Sequence, residues 1–236
     1  MDFFIRTKNR TDKEELMDDF SIGGDLLRDT LDKLENINRW LGGNKVTING
    51  LTELLKNYPK EQEVSIVDIG CGHGDILRDV AKFGRKNGYR MNLLGVDANP
   101  TAIQYAIELS TEYPEVRFKT EDIFSEAFQK RKFDVILATL FLHHFKEAQL
   151  TPFLKNALQQ TKIGVLVNDL HRHSLAYYLF LLLSLFIKNK MIIEDGLTSV
   201  LRGFKRKDLV EISQKINVKP QISWKWAFRF LWIIKK

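Results

Sequence analysis

The chain has 236 residues, which is enough for one domain with a sizeable core and an appended helical segment. Its hydrophobic fraction of 44% and its charged fraction of 28% are those of an ordinary globular protein. The single cysteine excludes a disulfide framework, and the first residues carry no long apolar core, so we expect a cytoplasmic protein without a signal peptide. The formal net charge of +6 is a mild basic excess that solvated lysines explain, although it would also suit RNA or an anionic membrane surface.

Residues 11–60 are predicted to form helices. The stretch from Asp12 to Phe20 is acidic and amphipathic, and a second helix ends at the glycine pair that follows Leu41. A third helix is predicted to follow Thr47 and to stop before Pro59. The apolar stripe of the second helix has i, i+3/i+4 spacing and consists of Leu26, Leu27, Leu31, Leu34, Ile37 and Leu41.

An apolar run of strand length, Val64 to Ile69, leads into a glycine-rich turn and then into a helical pattern. The turn carries glycines at alternate positions, Gly70, Gly72 and Gly74, with Asp68 two residues ahead of the first. In an α/β domain such a turn brings backbone close to a nucleotide-like ligand, because glycine permits positive φ and has no side chain to obstruct the ligand. The spacing fits neither the dinucleotide fingerprint nor a phosphate-binding P-loop.

This stretch resembles the first motif of the class I S-adenosylmethionine-dependent methyltransferases. The resemblance implies a Rossmann-like, seven-stranded α/β sheet with an N-terminal helical lid, and S-adenosylmethionine as the cofactor. We divide the chain accordingly into a helical cap over residues 1–60 and a methyltransferase domain over residues 61–236. Such helices commonly cover the cleft of the family, which makes Arg39 and Trp40 candidates for the substrate pocket, with simple packing as the alternative for Trp40. The cofactor-binding residues that the resemblance implies in the glycine turn are Asp68, Gly70, Cys71, Gly72 and Gly74.

The second and third strands are also followed by acidic residues. Strand two is Met91 to Val96, and Asp97 and Ala98 come next, where a carboxylate can accept hydrogen bonds from both hydroxyls of a ribose. After strand three, the family resembled here has an Asp that binds the adenine amino group and an apolar residue that flanks the ring. Asp122 and Ile123 match these roles, and a helix N-cap is the alternative for Asp122.

Strand four, Phe133 to Ala138, is followed by Thr139, which we include among the cofactor-binding residues. The chain lacks here the Asn-Pro-Pro-Tyr-like tetrapeptide of enzymes that methylate base amines or protein glutamine. The Leu-His-His-Phe ending at residues 142–145 looks like that of small-molecule methyltransferases of the ubiquinone and menaquinone C-methylation type.

A long apolar run follows strand five. Residues 175–187 are almost wholly apolar but fall short of the length that spans a bilayer. We expect a buried or cleft-lining helix that forms a wall of the substrate pocket, with Tyr177 in it, or else a helix that lies on a membrane surface. The apolar character of this helix predicts an apolar acceptor.

The tail from Ile222 to Ile234 predicts a closing β-hairpin with an antiparallel seventh strand, and a membrane-binding aromatic edge is the alternative.

All the histidines follow the predicted strands one, four and five, at the edge of an α/β sheet where ligands bind. They are His73, His143, His144, His171 and His173. His144 is the first candidate for a base that removes a phenolic proton and His171 is the second, with Asp169 as a residue that could orient an imidazole. We assign His143 and His173 to the substrate pocket. A structural hydrogen bond is the alternative for each histidine.

The same histidines could instead hold zinc. The pair His171 and His173, together with His143 or His144, offers suitable ligands. A metal-dependent catechol methyltransferase would carry an Asp where this chain has Thr139, so we expect no metal.

The predicted reaction is O-methylation of a phenolic or polyketide-type compound in secondary metabolism. Residues 38–43, residues 169–173 and the apolar helix after them resemble bacterial small-molecule O-methyltransferases. C-methylation of a quinone precursor is the next alternative, followed by an RNA methyltransferase, which the basic charge suggests, and a non-catalytic cofactor-binding subunit. We expect a small, apolar, aromatic acceptor. We expect no DNA partner and disfavour RNA as a partner, and we leave peripheral membrane contact open. The oligomeric state is left open.

Overall fold

One seven-stranded sheet forms the centre of the computed structural model, which describes residues 5–236. The strand order is β3-β2-β1-β4-β5-β7-β6. The strands are β1 (Glu63–Ile69), β2 (Arg90–Asp97), β3 (Val116–Thr120), β4 (Phe133–Thr139), β5 (Thr161–Leu170), β6 (Gln221–Lys225) and β7 (Arg229–Lys235). The first five strands pair in parallel, and β7 is antiparallel to both of its neighbours. The predicted Rossmann-like sheet and its antiparallel seventh strand are therefore confirmed.

Helices cover both faces of the sheet. They are α1 (Gly24–Trp40), α2 (Gly43–Leu55), α3 (Asp75–Asn87), α4 (Pro100–Leu109), α5 (Glu126–Gln129), α6 (Glu147–Gln160), α7 (Ser174–Ser184), α8 (Lys190–Arg202) and α9 (Arg206–Lys215). Short 3₁₀ turns lie at Leu16–Asp18 and Leu142–His144. Every residue of β4 is buried, as expected for a parallel strand with helices on both sides.

Two hydrophobic clusters lie on opposite faces of the sheet, because successive side chains of a strand point to opposite sides. One cluster contains Trp232, which is completely buried, with residues of α6 and α9. The other contains Leu51 of α2 and Leu166 of β5. A Cβ at Gly50 would come within 2.7 Å of Leu166, so glycine allows α2 to approach the sheet closely. Helix α2 thus belongs to the core of the sheet.

The division of the chain at residue 60 stays a prediction, and the first four residues of the proposed cap lie outside the described part of the chain. The two ends of that cap differ in structure. Helix α2 is packed on the sheet, whereas the segment from Lys8 to Asp18 lines the main cavity.

The predicted helix from Asp12 to Phe20 is wrong, because only the single turn Leu16–Asp18 forms there. The carboxylate of Asp195, on α8, accepts hydrogen bonds from the backbone N–H groups of Leu16 and Met17 at 2.6 and 3.0 Å. These backbone donors are therefore satisfied by a distant side chain instead of by a helix. The third predicted helix also begins earlier than expected, at Gly43, because the left-handed Gly42 (φ +74°) joins α1 to α2 in a tight turn.

The apolar run after β5 forms α7 and the turn that follows it. None of the helices among residues 5–236 combines the length and apolar character needed to cross a bilayer. Of the alternatives for this run, a buried helix is wrong, since several leucines of α7 are about half exposed. The cleft-lining expectation holds for part of the helix, because Leu175, Ala176 and Phe180 line the main cavity.

We predict that Leu51→Ala lowers the free energy of unfolding by about 2–5 kcal/mol, because it removes methyl groups from a fully buried position between α2 and the sheet. Leu26→Ala, at a position 55% exposed on α1, is the matched control and should change stability by less than about 0.5 kcal/mol. Urea unfolding followed by circular dichroism measures both. Equal effects of the two substitutions would contradict the placement of α2 in the core.

Candidate functional site

A cavity of about 1820 Å³ lies at the carboxyl ends of β1, β2, β4 and β5 and extends between the N-terminal segment, α7 and α8. The predicted site residues that line it are Asp68, Gly70, Cys71, Gly72, Asp97, Ala98, Asp122, Ile123, Thr139, Trp40, His143, His144 and His171. Residues from all three segments of the predicted cofactor site and from the predicted reaction cleft therefore meet at one place. Gly74, Arg39, His173 and Tyr177 do not line the cavity.

The glycine turn after β1 forms the floor of this cavity. Gly70 and Gly72 have positive φ values of 66° and 52°, a backbone conformation that residues other than glycine rarely adopt. A Cβ at Gly70 would also lie 2.1 Å from the ring of Phe141. Gly74, predicted to bind the cofactor, instead caps the N-terminus of α3 with φ +80° and packs against Phe118. Its role is to shape the turn.

Three acidic side chains, Asp68, Asp75 and Asp97, surround this turn and form an acidic hollow. Burial, and then the neighbouring Asp75 and Asp97, raise the pKa of Asp68 well above its usual range. Burial also raises the pKa of Asp97, although its carboxylate accepts hydrogen bonds from the backbone N–H groups of Gly72 and Asn99, both at 2.9 Å. One carboxylate oxygen of Asp68, Oδ1, is buried and has no hydrogen-bond partner among the described residues. The hollow therefore suits a ligand with a cationic centre or hydrogen-bond donors and disfavours a phosphate.

The residues after β3 lie beside this hollow. The exposed Asp122 accepts a hydrogen bond from the N–H of Phe124 at 2.8 Å, while Ile123 is buried in the core beneath the cavity. The N-cap alternative for Asp122 is wrong, because Ser125 caps α5 through a hydrogen bond from Phe128.

Thr139, at the end of β4, is tied to its neighbours by hydrogen bonds. Its hydroxyl lies 3.0 Å from the hydroxyl of Thr47 on α2, which also accepts a hydrogen bond from the amide of Asn168 on β5. This buried chain of side chains links α2 to the two central strands directly below the cavity.

His143 and Asp169 form a buried pair at the ends of β4 and β5. The Nδ1 atom of His143 lies 2.7 Å from Asp169 Oδ1, and both side chains are almost fully buried. Burial alone would raise the pKa of Asp169, but the adjacent His143 outweighs it and lowers the pKa. The imidazole that Asp169 orients is therefore that of His143, and neither His144 nor His171 is held by this carboxylate.

His144 is paired with a different carboxylate, Asp18 of the N-terminal segment. Its Nδ1 lies 2.6 Å from Asp18 Oδ1, and 26% of its side chain is exposed, at the cavity wall. Burial would raise the pKa of Asp18, but hydrogen bonds from His144 and Arg202 lower it well below its usual range. Asp18 is therefore an ionised acceptor, and His144 donates its Nδ1–H to it. The other ring nitrogen, Nε2, is left as the basic atom of this imidazole.

Glu15 lies against both histidines. Its Oε2 accepts a hydrogen bond from the Ser199 hydroxyl at 2.7 Å, whereas the buried Oε1 has no hydrogen-bond partner among residues 5–236. This Oε1 lies 3.6 Å from Nε2 of His143 and 3.8 Å from the Arg202 guanidinium. Burial raises the pKa of Glu15 to about 7, in spite of opposing effects from His144, Ser199 and Arg202.

Two arginines fix the backbone of the 3₁₀ turn that carries His143 and His144. Arg10 donates to the carbonyl groups of His143 and Phe145, both at 2.8 Å. Arg202 donates to the carbonyl groups of His143 and His144. The N-terminal segment and α8 are thereby held to the end of β4. Sequence reasoning missed Arg10, Glu15, Asp18 and Arg202, because no local pattern marks residues that act across such long separations.

His171 and His173 have separate roles. His171 accepts a hydrogen bond from the indole of Trp224 at 3.3 Å on Nδ1, and burial, with nearby His173, lowers its pKa to about 4. The predicted pocket role of His173 is wrong, because its Nδ1 accepts the N–H of Leu175 and caps α7. Tyr177 also faces away from the cavity, with its ring against that of Tyr178.

The two predicted lid residues at the end of α1 also differ from expectation. Arg39 pairs with Glu35 and Asp79, outside the cavity lining. Trp40 lies at the rim of the cavity and is 76% exposed, so the packing alternative for it is wrong.

The only combination of potential metal ligands assembled in the described part of the chain is Glu15, His143 and His144, whose ligand atoms lie within 4.8 Å of one another. It contains neither His171 nor His173, so the zinc set considered from the sequence does not form. The guanidinium of Arg202 already lies 3.8 Å from the Glu15 carboxylate, and a fixed positive charge at that distance opposes binding of a cation.

Comparison with known proteins gives one family match and one curated relative. The family described as a methyltransferase domain matches residues 60–175. The human EEF1A lysine methyltransferase 2 is 27% identical over 100 residues, which cover 42% of this chain and 39% of that protein. The chain thus aligns with well under half the length of this relative.

Several solved structures have a similar fold. The plantazolicin methyltransferase BpumL, in complex with SAH (S-adenosylhomocysteine), has a TM-score of 0.64 and 19% identity, with 89% of each chain covered. An O-methyltransferase family protein from Burkholderia thailandensis has a TM-score of 0.66 and 13% identity, covering 94% of this chain and 63% of that one. Magnesium protoporphyrin IX methyltransferase from Synechocystis PCC 6803, with bound SAH, has a TM-score of 0.56 and 12% identity, covering 84% of each chain.

We predict that Glu15→Gln changes how stability depends on pH. The pKa of Glu15 is about 7 in the folded chain against 4.5 ordinarily, so between these pH values the folded state keeps a proton that the unfolded chain has lost. The wild type should therefore lose stability as pH rises through this window, by up to about 3 kcal/mol. Glutamine has no such proton, so the variant should gain stability relative to the wild type between about pH 5 and about pH 8.

Urea unfolding at a series of pH values measures this difference. Glu14→Gln, at the exposed neighbouring position, is the matched control. If the difference in the free energy of unfolding between the wild type and Glu15→Gln does not vary with pH, that result contradicts the buried position of this carboxyl.

Proposed function

We propose that this chain is a class I S-adenosylmethionine-dependent methyltransferase, with S-adenosylmethionine as its cofactor, and that it methylates a small, largely apolar acceptor. The acceptor we favour is the phenolic oxygen of a polyketide-type compound. The observation that carries this proposal is the composition of the cavity, which joins the acidic hollow at the glycine turn to an apolar wall formed by α7.

The residues at the glycine turn fit the cofactor. S-Adenosylmethionine carries an ammonium and a sulfonium group but no phosphate, and the unpartnered, buried Oδ1 of Asp68 is an acceptor for such a cationic ligand. Asp97 would hold the ribose hydroxyls, and Asp122 with Ile123 would bind the adenine. When bound, the cofactor supplies a methyl group that is activated for transfer.

The other end of the cavity supports an apolar acceptor. Leu175, Leu179, Phe180 and Leu183 of α7 all line it. At about 1820 Å³ the cavity exceeds the usual size of a site for one small molecule, so it has room for an acceptor beside the cofactor. Apolar walls orient a lipid-like acceptor and exclude water, which are the main contributions that a protein makes to methyl transfer.

His144 is the proposed general base. Its Nδ1–H is held by Asp18, which leaves Nε2 to take the proton of an acceptor hydroxyl as the oxygen gains the methyl group. His171 suits this role less well, because its pKa of about 4 makes its imidazole a weak base at neutral pH. The neighbouring pair His143 and Asp169 would position the 3₁₀ turn from which His144 projects.

We predict that Asp97→Ala abolishes the rise in melting temperature that S-adenosylhomocysteine causes in the wild type. The substitution removes the acceptor for ribose and frees the N–H of Gly72 that shapes the turn. A thermal-shift assay measures this, with Asp25→Ala, an exposed acidic residue on α1, as the control. If the ligand still shifts the melting temperature of Asp97→Ala, the assignment of the strand-two carboxylate is wrong.

We predict that His144→Gln lowers kcat on a phenolic lipid by about 10²–10⁴-fold, since the variant loses the base but keeps the cofactor site. Calorimetric binding of S-adenosylhomocysteine should be unchanged. His173→Asn, which retains a cap for α7, is the matched histidine control. Turnover is followed by mass spectrometry of the product, which also separates O-methylation from the C-methylation alternative.

Two results would count against this assignment of the base. Undiminished turnover by His144→Gln would mean that proximity alone drives the reaction. Loss of wild-type turnover on treatment with a chelator would instead indicate that Glu15, His143 and His144 hold a metal ion.

A further inference from the structure

The outer side of α7 carries a continuous apolar stripe that no described element covers. Its members recur with the i, i+3/i+4 spacing of one helix face and continue into the following turn. They are Leu175 (50% exposed), Leu179 (48%), Leu182 (59%), Leu185 (75%) and Phe186 (82%). Single exposed apolar side chains are ordinary, but five in one row form a patch of the kind that marks an interaction site.

We propose that this stripe, which we call the α7 outer face, docks onto an anionic membrane surface. Helix α7 is too short to cross a bilayer, and no helix of residues 5–236 meets that requirement, so the helix would lie in the plane of the interface. In that orientation its leucines enter the boundary between headgroups and acyl chains.

The charges beside the α7 outer face complement anionic lipid. From residue 174 to residue 193 the sequence contains no Asp or Glu, and its only charged residues are Lys188 and Lys190. Both lysines are exposed and follow Phe186 by two and four positions, on either side of the buried Asn189, which caps α8. Lys190 meets Glu194 of α8 at 3.4 Å, which leaves Lys188 as the less compensated charge. Basic residues beside an apolar helix face are the usual arrangement of peripheral helices on anionic lipid.

Two tryptophans lie next to the start of α7. Trp226 is 74% exposed and Trp224 is 50% exposed, and both belong to the β6–β7 hairpin. The ring of Phe228 in this hairpin lies 5.4 Å from the ring of His173, which caps α7. The hairpin turn and the helix therefore border the same side of the molecule. Tryptophan is enriched at membrane–water interfaces, so this placement extends the docking surface beyond the helix.

The α7 outer face is also continuous with the cavity. Leu175 and Leu179 are about half exposed and also line the cavity, together with Trp224 and Trp226. This continuity would let an apolar acceptor enter the site directly from the lipid, an inference that rests on the proposed function. Docking itself does not depend on the reaction.

A second copy of the chain fits this face less well than lipid does. The chain carries a net charge of +6, so two copies repel one another whereas an anionic membrane attracts each of them. Self-association is therefore the competing outcome of the test.

The test is co-sedimentation of the full chain with vesicles of phosphatidylcholine, with and without phosphatidylglycerol. We expect binding to the mixed vesicles that weakens as salt is raised. The double variant Leu182→Asp/Phe186→Asp should bind at least about tenfold more weakly, because two apolar anchors become charged. Lys188→Glu/Lys190→Glu should bind the mixed vesicles more weakly and leave any binding to pure phosphatidylcholine unchanged.

Ile107→Asp/Leu109→Asp, at exposed apolar positions of α4, is the matched control. Calorimetric titration with S-adenosylhomocysteine shows that each variant keeps its cofactor site, so a failure of docking is separate from a failure of the proposed function. The proposal is overturned if the wild type stays in the supernatant or if the α4 control loses as much binding. It is also overturned if light scattering finds a dimer that Leu182→Asp/Phe186→Asp dissociates.

Discussion

The site depends on the concentration of buried carboxylates around the glycine turn. Asp68, Asp75 and Asp97 all have raised pKa values, primarily because they are buried, and the carboxylate of Asp97 holds the turn through the N–H of Gly72. A helix N-terminus usually attracts anions, but here the nearby acidic side chains make a phosphate unfavourable. The same strand-turn-helix unit that binds pyrophosphate in other α/β proteins is thereby suited to a cationic nucleoside.

A second constraint comes from the N-terminal segment, which lines the cavity beside His143 and His144. Arg10, Glu15 and Asp18 approach the 3₁₀ turn after β4, and each interacts with the backbone or the side chain of a histidine there. Asp18 belongs to this segment, so the pairing of His144 with a carboxylate exists only when the segment lies against the 3₁₀ turn.

The sequence predicts the parts of the fold and site that depend on local pattern. The strands, the glycine turn and the strand-two carboxylate follow from apolar runs, alternate glycines and an acidic residue at a strand end. The contact of His144 with Asp18 joins residues 126 positions apart, and the amphipathic pattern from Asp12 to Phe20 indicates a helix where only one turn forms. Nor could the sequence tell which of two adjacent imidazoles Asp169 would hold. The apolar pattern of α7 does not distinguish its possible roles, since the helix both lines the cavity and presents exposed leucines at the surface.

The central claim is that the hollow at the glycine turn binds a cationic, phosphate-free nucleoside. Isothermal titration calorimetry of the wild-type chain with S-adenosylmethionine and, separately, with NAD tests it most directly. The account predicts saturable heat at one site per chain with S-adenosylmethionine and no heat with the pyrophosphate-containing NAD. Binding of NAD without binding of S-adenosylmethionine would contradict it.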